Sequence, residues 1–278
     1  MSLGIMIKGS EGIVLAADSR VTLFNTQPQA PVPNASAGTP PLTMVIPATF
    51  DNATKILTAK AAAQSHVGAV TFGVGAIMTA AGPRTMQSFM PEFEKELKAA
   101  KTERLPVDEF AKALSEFFLR SWNTYVNRPP NPGEDINFFV GGYDDSAAYG
   151  RAFSFAIPNS PTPAEQNGGP GQFGITWGGQ GELVSRLLSG YDMGILPLLP
   201  DNQRAALKQQ MDQRLAAGIP YQFLPLQDCI DLATFLIKST IEFQKFRTSV
   251  RGVGGHVEVA TVTSDSEFQF VSGRRLKG

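Results

Sequence analysis

The chain's 278 residues are 42% hydrophobic and 18% charged, with a formal net charge of −1. This is the make-up of a globular protein in water, and it excludes a polybasic surface for nucleic acid or acidic membrane. A lone cysteine, Cys229, excludes an internal disulfide, and with His66 and His256 as the only histidines neither a zinc cluster nor another cofactor is expected. There is no charged n-region with a secretory h-region behind it and no run of eighteen apolar residues, so a reducing cytoplasm is the expected setting.

Two short strands open the chain, Leu3 to Lys8 and Ile13 to Asp18, with Gly9, Ser10, Glu11 and Gly12 supplying the turn. A three-residue loop would set Lys8 against Gly12 and, stepping outward, Ser2 against Asp18, with Cβ atoms about 5 Å apart on one face. A loop of even length would shift the register by one and turn the two side chains to opposite faces. Both hairpin strands are apolar on alternate positions of either face, which suits a sheet covered on both sides. Ser2 directly follows the initiator methionine, and a residue this small invites aminopeptidase removal of Met1. The expected mature terminus is a serine with a hydroxyl nucleophile and a free α-amine as its base.

From Asn25 to Asp51 the sequence is dense in Pro, Ala, Thr and Gly, without periodicity, and reads as a functional loop or a mobile excursion. Strands are expected at Lys55-Ile56-Leu57 and from Val67 to Gly73. A helix from Pro83 to about Ala100 carries Met86, Phe89, Met90, Phe93 and Leu97 on one stripe, and another from Pro106 to about Tyr125 carries Phe110, Leu114, Phe117, Phe118 and Trp122. Strands resume at Ile136 to Tyr143, Gly150 to Ile157 and Phe173 to Trp177, with turns over Pro158 to Pro170. Gly178-Gly179-Gln180-Gly181 opens a helix to Tyr191, but without the lysine of a P-loop or the spaced glycines of a dinucleotide site. An amphipathic helix around Gln203 to Ala217 lies within a proline-bracketed insertion. A long helix from Leu226 to about Phe246, then strands His256 to Thr263 and Phe268 to Ser272, complete the chain. Bunched strands and separate helix blocks predict an α+β layer fold, one domain with insertions at about 25–51 and 196–224.

These residues resemble the proteasome family of N-terminal nucleophile (Ntn) hydrolases: the 20S β-subunits, the bacterial protease HslV and the Anbu-type proteins. Ser2, then Asp18-Ser19-Arg20 with Gly12 and Ala16-Ala17, carries the resemblance most specifically. Phe139-Val140-Gly141-Gly142-Tyr143-Asp144, the turn at Gly178 to Gly181, Gly190-Tyr191 and Gly254-Gly255 then follow in the family's order. The resemblance implies an αββα sandwich and a threonine-peptidase-family endopeptidase with a serine nucleophile. It implies Lys55 as the active-site lysine, Gly73 as the oxyanion-hole N–H with Gln180 as a second donor, and Thr22 as a contact to the substrate backbone. Arg20 reads as structural; His66, His256 and Cys229 read as packing or surface residues. The implied partners are a peptide or unfolded-protein substrate and further copies of the chain in a ring, using helix faces near Phe89 to Leu97, with an ATP-dependent unfoldase left open. Two departures stand out. No carboxylate occupies Thr248 to Val253, where family members carry Asp and Ser, and Gln180 stands in place of the family's serine.

A free α-amine, with a pKa of about 7.7–8.0 against about 10.4 for lysine, is the better base near neutral pH. Lys55 as a cation beside Asp18 would lower the amine's pKa further, leaving Asp18 as the orienting ion. Two rival readings stand beside this one: a non-catalytic scaffold of the same fold, favoured by the missing Asp and Ser before Gly254, and an Ntn amidase acting on small amides.

Overall fold

The computed structural model describes residues 2–28, 43–100, 103–126, 128–131, 133–169, 171–248 and 250–272. Met1, Ser249 and the middle of the proline-rich stretch, 29–42, lie outside them. The fold is mixed, with helices and several antiparallel sheets.

β1 (Leu3–Lys8) and β2 (Ile13–Asp18) form the expected hairpin, and every residue in both is buried. Its register differs from the three-residue-loop expectation. Gly9 N–H closes on the Gly12 carbonyl at 2.9 Å, so Lys8 pairs with Ile13 and Gly4 with Ala17. With a loop of even length, Leu3 and not Ser2 comes level with Asp18. Alternation then turns Ser2 to the face of Gly4 and Met6, and Asp18 to the face of Ala16.

The stretch expected to be a loop after Arg20 instead contains a two-stranded ribbon, β3 (Val21–Pro28) with β4 (Thr43–Phe50). Both strands of a ribbon have a free edge, where Pro28 and Pro47 can sit without removing a central ladder bond. β5 (Ile56–Ala59) and β6 (Gln64–Gly73) follow, then the small hairpin β7 (Ile77–Thr79) and β8 (Gly82–Arg84). Helices α1 (Met86–Ala99) and α2 (Val107–Tyr125) bury all ten residues of their predicted stripes. The stripe from Phe89 to Leu97 is core, as expected, while Gln87, Ser88, Pro91 and Glu92 on the helix's other faces are exposed.

β9 (Ile136–Gly142) and β10 (Arg151–Ile157) are joined by β11 (Ser160–Glu165), a strand in the stretch expected to be turns. β11 is an edge strand paired only to β10, which accommodates Pro161 and Pro163. Next come β12 (Gly174–Gly179), α3 (Glu182–Leu188), α4 (Arg204–Leu215), α5 (Leu226–Gln244), β13 (Val257–Val262) and β14 (Gln269–Ser272). α4 occupies the predicted insertion but buries none of its residues, so its amphipathic reading is not met.

One sheet runs β12-β1-β2-β13-β14 and the other β11-β10-β9-β6-β5. Met6, Ile13 and Leu15 of the first pack with Val70, Phe72 and Phe139 of the second. The far side of the second sheet packs Val67, Phe138 and Val140 on the aromatic stripes of α1 and α2. Leu3, Ile5, Val14 and Val259 of the first sheet pack on Val184 of α3 and Ala233, Leu236 and Ile237 of α5. No helix among the described residues is long and apolar enough to cross a membrane.

Candidate active site

Ser2 immediately precedes β1 and is almost fully buried, 3% exposed. Its carbonyl accepts the Gln180 N–H at 2.8 Å, and its Oγ accepts the Gly73 N–H at 3.0 Å. Gly73 ends β6 at φ +91°, and a Cβ there would collide with the Asp135 carbonyl oxygen. A left-handed residue pressed against backbone admits only glycine, and this geometry aims the Gly73 N–H at the serine hydroxyl. Gly179, at φ +88°, is in the same position against the Ser2 carbonyl. The Gln180 N–H is directed at the Ser2 carbonyl, where it holds the start of the hairpin.

Asp18 has no solvent exposure. Its Oδ1 accepts Leu3 N–H at 2.9 Å and the Lys55 Nζ at 2.8 Å; its Oδ2 accepts Arg20 N–H at 3.1 Å and Gly254 N–H at 3.0 Å. The one-residue register shift is thus absorbed at the strand end, where the carboxylate takes the N–H of Ser2's neighbour. Lys55 immediately precedes β5, and its carbonyl accepts the Thr71 N–H at 2.9 Å. Burial lowers the Lys55 pKa, opposed by the attraction of Asp18. Ser2, Lys55 and Thr71 together line a cavity of about 10 Å³, space for about one water molecule. The structure thus brings Ser2, Gly73, Asp18 and Lys55 into one cluster.

Several contributors escaped the sequence reading. Glu258 of β13 is buried and accepts the Lys55 N–H at 2.9 Å, and burial raises its pKa. A single carboxylate inside the apolar run Val257 to Val262 was the signal that could have found it. His256 lies beside it, its Nδ1 2.9 Å from Ser19 Oγ. Because Ser19 Oγ already donates to the Asp51 carbonyl at 2.7 Å, the imidazole Nδ1 is the donor in that contact. Arg20 has the structural part expected of it, holding Asp51 bidentately at 2.5 and 2.7 Å and so fastening the end of the ribbon to the end of β2. His66 bonds the Leu105 carbonyl at 2.7 Å, and Cys229 packs beneath the first sheet.

Ser2 also borders a cleft of about 920 Å³. Thr22, Leu23 and Phe50 of the ribbon form one part of its lining, and Gly73, Met78 and Pro83 another. Thr22 is buried, and its hydroxyl has no partner among the described residues. Phe50 and Met78 present apolar side chains that are 59% and 61% exposed. Residues 21–50 contain no charged side chain. Glu134, a charged member of the lining, is engaged by Arg128 at 2.5 and 2.7 Å. Among the described residues no group of three His, Cys, Asp or Glu side chains is placed to hold a metal ion. No protein-family model matches the sequence, and no curated protein matches it.

Proposed function

We propose that this chain is a proteasome-type Ntn hydrolase with an αββα sandwich, and that it cleaves peptide bonds through an acyl-enzyme on Ser2 exposed by removal of Met1. The observation that carries the reading is the Gly73 N–H held 3.0 Å from Ser2 Oγ, beside a buried Lys55–Asp18 pair whose lysine lines the same small cavity as Ser2. The layered clusters, with helices outside two packed sheets, are what such a sandwich requires.

In this scheme the Ser2 hydroxyl attacks the scissile carbonyl while its proton passes to the serine's own α-amine. The oxyanion moves onto the Gly73 N–H, a donor of the kind worth about 3 kcal/mol. Collapse of the tetrahedral intermediate breaks the C–N bond, the amine's proton goes to the leaving nitrogen, and an ester remains on Ser2. A water that gives its proton to the same amine hydrolyses that ester and restores the hydroxyl. The lowered Lys55 pKa eases proton exchange near the nucleophile, and Asp18 holds the ammonium in place. The apolar cleft favours an uncharged stretch of peptide, with the Thr22 hydroxyl available to its backbone. Assembly of copies into a ring is part of the proposal, and mass in solution checks it.

The decisive test joins two measurements. Intact-protein mass must show Met1 removed and the terminus unblocked, and Ser2→Ala must abolish turnover of fluorogenic peptides and unfolded protein. Undiminished turnover in that variant ends the reading. A non-catalytic scaffold is the second reading, favoured because Val253, at the family's Asp and Ser segment, is buried and apolar; a retained Met1 would select it.

A further inference from the structure

One side chain links the Gln180 side chain and the Val253 backbone, in the two segments that hold Ser2 and Asp18. Gln244, in the last turn of α5, is 6% exposed. Its Nε2 donates to Gln180 Oε1 at 2.7 Å, and its Oε1 accepts the buried Val253 N–H at 3.1 Å. The amide's orientation is fixed, since a backbone N–H can only donate and must face the Gln244 oxygen. From Gln180, the connection continues through its own N–H to the Ser2 carbonyl at 2.8 Å. From Val253, it continues to the next residue, whose N–H reaches Asp18 Oδ2 at 3.0 Å. The first sheet has β12, β1, β2 and β13 side by side, so these two segments lie at the ends of strands flanking the hairpin. The Gln244 amide spans them from the helix that packs on that sheet.

We infer that Gln244 is a positioning residue: its amide sets the spacing between the Gly179–Gln180 backbone, which fixes Ser2, and the Val253–Gly254 backbone, which fixes Asp18. A glutamine is suited to this because it donates and accepts at once without carrying charge into a buried site. Leucine at this position fills similar space but leaves the Val253 N–H unsatisfied and removes the donor to Gln180 Oε1. The bridge between the two segments is then lost without loss of core packing. The role in turnover rests on Ser2 being the nucleophile; the clamp itself does not.

The test therefore has two readouts, made on the full chain. Hydrogen exchange of the Gln180 and Gly254 amides reports the clamp directly: Q244L is expected to speed both by roughly 10-fold or more relative to core amides of β6 and β9. Exchange unchanged at both amides overturns the inference whatever the activity does. On peptide substrates Q244L is expected to lower kcat roughly 10-fold with KM within about twofold. The split between kcat and KM is a response that mere loss of packing would not give. A kcat equal to the native value in Q244L overturns the role in turnover. If the native chain hydrolyses no peptide while exchange responds as expected, the nucleophile reading fails and the clamp stands.

Discussion

Asp18 and Lys55 meet across 2.8 Å where water scarcely reaches, with side-chain exposures of 0% and 6%. The two partners are unequal, because Asp18 also accepts three backbone N–H groups, from Leu3, Arg20 and Gly254. Removing Lys55 leaves an anion that still has three donors. Removing Asp18 leaves a buried ammonium and three unsatisfied amides. Asp18→Ala is therefore expected to cost about 3–5 kcal/mol and Lys55→Met less than half of that, as measured by urea unfolding. The opposite order would mean that the backbone donors do not hold the carboxylate.

In the proposed reaction Gly73 would couple catalysis and stability at one atom. Alanine there places a Cβ against the Asp135 carbonyl and holds a left-handed backbone that alanine resists. The Asp135 carbonyl also accepts the Val74 N–H at 3.0 Å, so it cannot retreat without breaking the turn. Gly73→Ala is expected to destabilise by about 2 kcal/mol or more, lowering Tm by roughly 5 °C. Turnover should fall by more than the unfolded fraction explains, because the displaced N–H no longer faces Ser2 Oγ. Equal losses of activity and folded protein would reduce Gly73 to a turn residue.

Thr22 should behave in the opposite way. Its hydroxyl is buried at the cleft and has no partner among the described residues, so the folded chain bears its desolvation without return. Thr22→Val keeps the branched shape that suits β3. It is expected to leave stability unchanged or raise it by up to about 1 kcal/mol, while kcat/KM for peptides falls roughly tenfold. Loss of stability with unchanged kcat/KM would show that the hydroxyl serves the fold and not the substrate.

What could be read along the chain and what could not divide by the range of the interaction. The hairpin strands, the stripes of α1 and α2 and the buried run of β13 follow from local periodicity. The register of β1 on β2 does not, because it turns on whether Gly12 belongs to the loop or to the strand, and a single Gly9 to Gly12 hydrogen bond decides it. β11 and the β3–β4 ribbon were hidden by prolines that a free strand edge tolerates. Ser2, Asp18, Lys55 and Gly73 were legible as residues through the family resemblance. Gln244 and Glu258 were not, since nothing local in a helix end or a strand interior reveals that they meet Gln180 and Lys55 from 64 and 203 positions away.

Glu258 gives the site a pH dependence whose sign can be worked out. Burial raises its carboxyl above the ordinary value of 4.5, against the pull of the Lys55 N–H and the nearby His256 and Lys55 charges. The fold therefore binds this proton more tightly than the unfolded chain does. Its contribution to stability is largest below the ordinary value and is lost as pH rises through the raised one. Glu258→Gln keeps an acceptor for the Lys55 N–H and has no proton to lose, so the difference between the two proteins isolates this group. The unfolding free energy of the native chain, relative to E258Q, is expected to fall as pH rises from the ordinary carboxyl value of 4.5 through the raised one, in parallel urea titrations. A difference that stays flat over that interval would mean the carboxylate is as well stabilised beside Lys55 as it is in water, and the charge balance drawn here for the lysine would have to be reversed.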